Sequence, residues 1–254
     1  MTSRVKRQHP DRVMISGLAA LTNLLFFLLQ IFLLGKWEQI SYDPFVISFL
    51  AAISIFCLAE SWLGVTRCEV IEVSKKNRVD LILTQITGVV LLVVFSASLC
   101  EHLIYPVDLE SSAHIVTGTA TVLLGVHLRV SAFRKLENAF FSMPKVTVGQ
   151  QLVVGGIYSF VRHPSEIGLV CISLGIVWLL SSLLGFLVLV LMLLPISYFR
   201  VAREESCLSQ VFDKDYRHYK NNTPAIFPIL GRKRALWFQT NFWYPLRNTG
   251  IIWA

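Results

Sequence analysis

The sequence predicts an all-α, polytopic membrane protein with about six transmembrane helices, and three observations lead to this prediction. Of its 254 residues, 54% are hydrophobic and only 15% are charged, with a mean hydropathy of +0.61. Soluble domains average about 25% charged residues. Apolar runs of spanning length recur along the chain, and basic residues cluster in alternate connections between them. Because hardly any connection could bury a core of its own, a functional site must be built from the spans and their loops.

Four apolar runs are long enough to cross a hydrocarbon layer of about 30 Å at roughly 1.5 Å per residue. They cover residues 13–34, 45–65, 79–105 and 113–133. A fifth stretch, residues 165–199, is long enough to cross twice, with a turn predicted near Ser181 and Ser182. The last two spans therefore form a C-terminal helical hairpin. Between residues 128 and 149 the chain is more polar, and its pattern predicts an interfacial helix followed by a loop at residues 143–149.

The distribution of basic residues predicts the orientation of the spans. With six spans, 22 of the 23 Lys and Arg residues lie on one side, and only Lys36 lies on the other. The positive-inside rule assigns the basic side to the cytosol, with both termini there. The basic N-terminus leads into the first apolar run without a small-residue cleavage motif, which predicts a retained first span. The net charge of +7 thus reflects topology and does not indicate nucleic-acid binding.

Three carboxylates, those of Glu60, Asp80 and Glu101, interrupt or border the predicted spans. Ionisable groups inside a bilayer are costly and are often functional. For Glu60 both a functional role and a hydrogen bond to a neighbouring helix stay open, whereas Asp80 and Glu101 are expected at the membrane interfaces. His102 and His127 are interpreted as packing residues. The five cysteines are scattered without a CxxC pair, so they are expected to be reduced, and no metal site is predicted.

Two polar clusters flank the hairpin, at residues 158–166 and 200–219, and its two crossings return both to the same side. The pattern is LVxxGxYxxxRHPSxxG, the apolar hairpin, and then RxxxEExxLxxxFxxxYxxY. It resembles the isoprenylcysteine carboxyl methyltransferase family over residues 128–228. The matching residues are Leu152, Val153, Gly156, Tyr158, Arg162, His163, Pro164, Ser165 and Gly168, then Arg200, Glu204, Glu205, Leu208, Phe212, Tyr216 and Tyr219.

The resemblance implies methyl transfer from S-adenosyl-L-methionine to the C-terminal carboxylate of a prenylated cysteine, in proteins processed at a CaaX sequence. It implies an enzyme that takes prenylated proteins or prenylcysteine from the lipid bilayer, in the endoplasmic reticulum. The implied division is residues 1–134 as transmembrane helices 1–4, 135–230 as the methyltransferase core with hairpin and cytosolic cofactor-binding segments, and 231–254 as a basic, aromatic interfacial tail.

By resemblance, Arg200 holds the substrate carboxylate. The implied cofactor-binding residues are Gln150, Gln151, Leu152, Val153 and Tyr158 around the adenosine, His163, Pro164, Ser165 and Glu166 at the start of the hairpin, and Glu204 after it. The family has Tyr where this chain has Glu166. A guanidinium can hold a carboxylate through two parallel hydrogen bonds, and a carboxylate with a pKa near 3.5 is already ionised at neutral pH, so the reaction requires no general base.

Other interpretations stay open at this point. Arg200 and Glu204 are four residues apart and could be an ordinary ion pair on one helix, although such pairs favour the reverse order. The segment at residues 163–166 could be only a helix start, with proline at the first position and Glu166 as the third-position acid. The nearest functional alternative is a phospholipid N-methyltransferase, and another is a non-catalytic membrane scaffold of the same fold.

Overall fold

A computed structural model describes residues 10–68, 78–106, 113–136 and 152–226. The regular elements are α1 (Pro10–Leu33), a short α2 (Gln39–Tyr42), α3 (Pro44–Cys68), α4 (Arg78–Ile104), α5 (Ala113–Lys135), a 3₁₀ helix (Gly156–Ser159), α6 (Pro164–Leu179), α7 (Leu183–Val188), a π-helical segment (Leu189–Leu193) and α8 (Leu194–Asn222). The described elements are all helical, so the predicted all-α class is confirmed. The tail at residues 231–254 and the loop at 143–149 lie outside the described residues.

The predicted apolar runs coincide with the observed helices. Four helical stretches in the described ranges are long and apolar enough to cross a membrane: Pro44–Leu63, Ile82–Ile104, Ala113–Lys135 and the continuous Leu183–Asn222. Two shorter apolar helices, Leu21–Leu33 and Pro164–Leu179, occupy the first and fifth predicted runs. The chain is therefore an integral membrane protein.

The interfacial helix predicted from residue 128 does not begin there, whereas the predicted fourth span, residues 113–133, is observed as α5. α5 continues without a break to Lys135, so residues 128–135 belong to the fourth span rather than to a separate interfacial helix. One of the charged side chains that suggested a change of element lies inside the bundle, because Arg129 is only 7% exposed and pairs with another helix.

Glycines allow α5 and α6 to pack with their backbones close together. A Cβ atom added at Gly125 would lie 2.6 Å from the Gly168 carbonyl oxygen, and one added at Gly168 would lie 2.6 Å from the Gly125 carbonyl oxygen. Further along α6, a Cβ atom added at Gly175 would lie 2.7 Å from the side chain of Val122 in α5. Small residues at such contacts are the usual means of bringing membrane helices together. This packing fixes the start of α6 against the end of α5.

The hairpin turns where the sequence predicts. Ser181 has a φ of 49°, and the Ser182 side chain accepts a hydrogen bond from the Gly185 amide at 2.8 Å. Glu101, at the end of α4, accepts hydrogen bonds from the Ser182 hydroxyl at 2.5 Å and from the Leu184 amide at 2.8 Å. A carboxylate at a helix N-terminus satisfies free amides and complements the helix dipole. Glu101 therefore fastens the hairpin turn to α4.

A second polar contact lies at the same end of the bundle. The Asp43 carboxylate, which accepts a hydrogen bond from the Phe45 amide at 2.9 Å, lies 3.1 Å from Nε2 of His102. His102 follows Glu101 directly in α4, so the connection before α3 and the hairpin turn lie side by side. This agrees with the expectation that His102 is a packing residue, and it leaves the start of α6 and the polar part of α8 at the opposite end.

The last crossing contains two departures from regular helix. Residues Leu189–Leu193 form a π-helical turn directly before Pro195. A widened turn relieves the clash between a proline ring and the carbonyl one turn earlier. α8 then continues to Asn222, with a kink at Asp213, where φ is 30°. The crossing thus extends as one helix from the hairpin turn into the polar cluster.

Candidate active site

The two polar clusters predicted around the hairpin meet at one end of the bundle. The chain enters α6 through a short non-helical segment, and the residues after α8 fold back and pair with it. The Arg162 amide donates to the Pro224 carbonyl at 2.9 Å, and the His163 amide donates to the Ala225 carbonyl at 3.1 Å. The segment that follows α8 thus returns to the entry of α6, as far as the described residues extend.

Glu205 joins the two clusters. Its carboxylate lies 2.6 Å from Nη2 of Arg162 and 2.8 Å from Nζ of Lys220, and Arg162 also donates to the Lys220 carbonyl at 3.0 Å. Pairs between a guanidinium and a carboxylate are among the stronger hydrogen-bonded contacts. Neither Arg162 nor Glu205 was assigned a site role from the sequence, and Lys220 was missed. The proximity of these residues arises only once α8 lies beside the entry to α6.

His163 lies between two carboxylates. Its Nδ1 is 3.4 Å from Glu204, its Nε2 is 3.4 Å from Glu205, and the residue is 4% exposed. Burial alone would lower the pKa of the imidazole, but hydrogen bonds and charge from Glu204 and Glu205 outweigh burial and raise the pKa to about 9. The imidazole is therefore a cation at neutral pH. The Glu204 side chain is 47% exposed, so its carboxylate can contact a ligand as well as His163.

Arg200 pairs across the hairpin with Glu166. Its Nη2 lies 3.1 Å from Oε1 of Glu166, and its Nη1 donates to the Thr87 hydroxyl of α4 at 3.2 Å. The Glu166 side chain is 9% exposed and that of Arg200 is 26% exposed. Glu166 is thus more than the third-position acid of a helix start, because it neutralises the guanidinium that the sequence assigns to a substrate carboxylate. The contribution of Thr87 was missed, since a threonine inside a long apolar run gives little signal.

An ion pair between α3 and α5 contacts the start of α6. Arg129 of α5 donates through Nε and Nη2 to the Glu60 carboxylate of α3, the latter at 3.1 Å. Its Nη1 donates to the hydroxyl and carbonyl oxygens of Ser165 at 3.0 and 3.2 Å. The hydrogen bond to a neighbouring helix that was left open for Glu60 is therefore present. Its partner Arg129 was missed because it was placed in an interfacial helix.

Of the residues expected around adenosine, only some can be located. Gln150 and Gln151 lie outside the described residues, whereas Leu152 and Val153 are half-buried before the 3₁₀ helix. Tyr158 is buried, its hydroxyl donates to the Ala132 carbonyl at 3.4 Å, and its own carbonyl accepts from Tyr219 at 2.6 Å. In this structure Tyr158 ties the cluster to α5 and α8. Pro164 begins α6, as predicted.

Three buried polar atoms at the cluster have no hydrogen-bond partner among the described residues. They are Nε of Arg162, Oε2 of Glu166 and the hydroxyl of Tyr216. Unsatisfied buried polar atoms are uncommon in native structures. They mark the cluster as a place where a polar ligand could supply the missing contacts. In the same ranges, no group of three or more His, Cys, Asp or Glu side chains is placed to hold a metal ion.

Comparison with known proteins identifies relatives of this part of the chain. Residues 113–215 match the phospholipid methyltransferase family model. The protein-S-isoprenylcysteine O-methyltransferase of Schizosaccharomyces pombe is 30% identical over 121 residues, which is 47% of this chain and 51% of that protein. The Saccharomyces cerevisiae protein of the same name is 28% identical over 129 residues, 50% of this chain and 54% of that protein. The matched segment thus spans about half the length of these relatives.

A solved structure shares the fold. The eukaryotic intramembrane Ras methyltransferase, an isoprenylcysteine carboxyl methyltransferase, superposes with a TM-score of 0.55 at 20% sequence identity. The superposition covers 80% of this chain and 74% of that one. The helical arrangement is therefore shared well beyond the segment that the sequence comparisons match.

Proposed function

We propose that this chain is a member of the isoprenylcysteine carboxyl methyltransferase family and that it transfers a methyl group from S-adenosyl-L-methionine to the C-terminal carboxylate of a prenylated cysteine. One observation carries the proposal: the residues that match the family motif on both sides of the hairpin form a single charged cluster at one end of the bundle. The curated prenylcysteine methyltransferases are similar to about half of this chain.

Arg200 is suited to hold the acceptor carboxylate. It lies where the apolar part of the last crossing gives way to the polar part, directly after the exposed Tyr198 and Phe199. A prenyl chain in the bilayer would therefore deliver its terminal carboxylate at the depth of this guanidinium. The planar fork of arginine matches a carboxylate in a way that a lysine ammonium does not. Holding the carboxylate in one orientation is the main service the protein must provide.

The residues around His163 fit the amino-acid end of S-adenosylmethionine. That end carries an ammonium and a carboxylate, and the cluster offers the half-exposed Glu204 carboxylate beside a cationic imidazole and the first turn of α6. Helix N-termini favour anionic groups. When bound, S-adenosylmethionine supplies a methyl group on a sulfonium, which an ionised carboxylate oxygen can attack without a general base. Glu204, His163, Pro164 and Ser165 would hold it, and Arg200 would orient the acceptor.

Methyl transfer to a phospholipid amine is the second candidate, because the matched family model is that of phospholipid methyltransferases. The two reactions leave chemically different products. A methyl ester releases methanol in base, whereas an N-methyl group does not. Purified protein in lipid nanodiscs should be incubated with methyl-labelled S-adenosylmethionine and either N-acetyl-farnesylcysteine or phosphatidylethanolamine.

We expect base-labile label with the farnesylated acceptor and background label with the phospholipid. Base-stable label in the phospholipid alone would replace the proposed reaction with the second candidate. If the protein transferred label to neither acceptor, whether or not it bound S-adenosylmethionine, the result would contradict methyl transfer and favour the scaffold interpretation.

Residence in the endoplasmic reticulum, with both termini in the cytosol, is also proposed. The positive charge of the predicted cytosolic segments supports the orientation of the termini, and residence in the endoplasmic reticulum rests on the family resemblance. Single cysteines at Glu38 and Lys214, both exposed, can be introduced into a variant lacking the native cysteines. In sealed microsomes a membrane-impermeant maleimide should label position 214 and should reach position 38 only after permeabilisation. Labelling of both positions before permeabilisation would contradict the span count.

A further inference from the structure

The guanidinium assigned to the acceptor already holds a carboxylate of the protein itself. Oε1 of Glu166 lies 3.1 Å from Nη2 of Arg200, while Nη1 of Arg200 is engaged by the Thr87 hydroxyl at 3.2 Å. Both terminal nitrogens of the fork are therefore in contact with groups of the bundle. An acceptor carboxylate that binds Arg200 through two parallel hydrogen bonds must share or displace one of these contacts.

Glu166 is more buried than Arg200. It lies in the first turn of α6, next to Ser165, which is fixed by the hydrogen bonds from Arg129. Its side chain is 9% exposed, compared with 26% for Arg200. Its second oxygen, Oε2, is buried without a partner in the part of the chain that the structure describes. The carboxylate is thus a fixed negative charge at the inner side of the acceptor position, with half of its hydrogen-bonding capacity unused.

From this arrangement we infer that Glu166 is a specificity-determining residue, an internal carboxylate that competes with the acceptor carboxylate for Arg200. The inference rests on the proposed function. Two carboxylates on one guanidinium repel each other, and the repulsion is substantial where solvent screening is limited. Glu166 therefore lowers the affinity for carboxylate acceptors. It also reduces the preference of the site for an acceptor with a carboxylate over an otherwise identical neutral one.

A second role for Glu166 predicts the opposite sign. If Glu166 only positioned the Arg200 guanidinium for the acceptor, its removal would misorient the fork and lower the preference for a carboxylate. The two possibilities are distinguished by comparing N-acetyl-farnesylcysteine with its carboxamide. Both share the prenyl chain and the amide, so the ratio of their dissociation constants isolates the contribution of the carboxylate.

The experiment measures that ratio for the wild-type protein, Glu166→Gln and Glu166→Tyr in lipid nanodiscs, with saturating S-adenosylhomocysteine in place of S-adenosylmethionine so that the acceptor is not methylated during the measurement. Glutamine removes the charge with little change in shape, and tyrosine is the residue that the family has at this position. Both variants should raise the preference for the carboxylate by about tenfold or more. The matched control is Glu38→Gln, an exposed Glu outside the cluster, which should leave the ratio within about twofold.

In one outcome the wild-type protein transfers the methyl group while a folded Glu166 variant shows an unchanged or reduced ratio of dissociation constants. That result would overturn this inference and leave the proposed function standing. Absence of transfer to N-acetyl-farnesylcysteine by the wild-type protein would overturn both. If Glu166→Gln folds, its ratio is the deciding result, and if it does not fold, the ratio of Glu166→Tyr decides in its place.

Discussion

Replacing Glu60 by glutamine should destabilise the protein, because it removes the carboxylate that is hydrogen-bonded to the buried Arg129 and leaves only the charge of Glu166 to act on that guanidinium. Arg129 is 7% exposed as a residue, and Glu60 receives hydrogen bonds from its Nε and Nη2. Removing one partner of a buried ion pair costs about 3–5 kcal/mol. The Glu60 side chain is 26% exposed, so water can screen part of the remaining charge. We therefore expect Glu60→Gln to lower the free energy of unfolding by about 3 kcal/mol, at the low end of that range.

The assay is reversible unfolding in mixed micelles, followed by circular dichroism and by S-adenosylmethionine binding. A matched control is Arg217→Gln, which breaks an ion pair with Asp213 whose side chains are 75% and 59% exposed. Its effect should stay within about 0.5 kcal/mol, because exposed pairs contribute little. A change of less than about 1 kcal/mol for Glu60→Gln would refute the reasoning, since Arg129 would then be stable without Glu60.

Two further predictions concern packing and pH. Gly125→Val should separate α5 from α6 and abolish stable folding, because its Cβ atom would lie 2.6 Å from the Gly168 carbonyl oxygen. The control Gly88→Val should fold, since a Cβ atom at Gly88 meets nothing within 4 Å. Equal melting temperatures for the two variants would contradict the close packing of α5 and α6. His163 has a pKa of about 9 in the folded protein against 6.5 for the free side chain. Because this pKa is raised on folding, the stability it contributes is complete below about pH 6.5 and is lost as the pH rises through about 9, at up to about 1.4 kcal/mol per pH unit. The difference in melting temperature between the wild-type protein and His163→Gln should therefore shrink between pH 6.5 and 9, and a constant difference would show that the imidazole is not charged in the folded state.

The features that the sequence predicted well depend on local properties of the chain. The positions of the spans follow from runs of apolar residues, because a spanning helix must be at least as long as the bilayer is thick. The hairpin turn at Ser181 and Ser182 interrupts one such run. Pro164 similarly marks the start of α6, because proline is favoured at the first position of a helix. These signals need no knowledge of which helices are neighbours.

The features that could not be predicted depend on which helices lie side by side. Two ion pairs join residues from different helices, namely Arg129 with Glu60 and Arg200 with Glu166. No periodicity in the sequence connects the two members of either pair. Arg129 was misplaced for a physical reason: a charged residue near the end of an apolar run suggests the membrane surface unless its counter-charge is known. The pairing of Arg200 with Glu166 also replaces the simpler expectation of an ion pair with Glu204, four residues later on the same helix.

In the proposed mechanism Arg200 holds the acceptor carboxylate and Glu204 holds S-adenosylmethionine, and two variants test this assignment directly. S-adenosylmethionine affinity by calorimetry and initial rates of transfer to N-acetyl-farnesylcysteine are measured for Arg200→Ala and Glu204→Ala, per folded molecule. Arg200→Lys is added because it keeps the charge without the planar fork. Losing one charge-assisted contact costs about 1.5–3 kcal/mol, which is roughly ten- to a hundredfold.

We expect Arg200→Ala to abolish transfer while leaving S-adenosylmethionine affinity within about twofold, Arg200→Lys to remain poorly active, and Glu204→Ala to weaken S-adenosylmethionine binding by at least about tenfold. If both alanine variants lowered only the melting temperature and left transfer per folded molecule unchanged, Arg200 and Glu204 would be structural residues and the cluster would not be the active site.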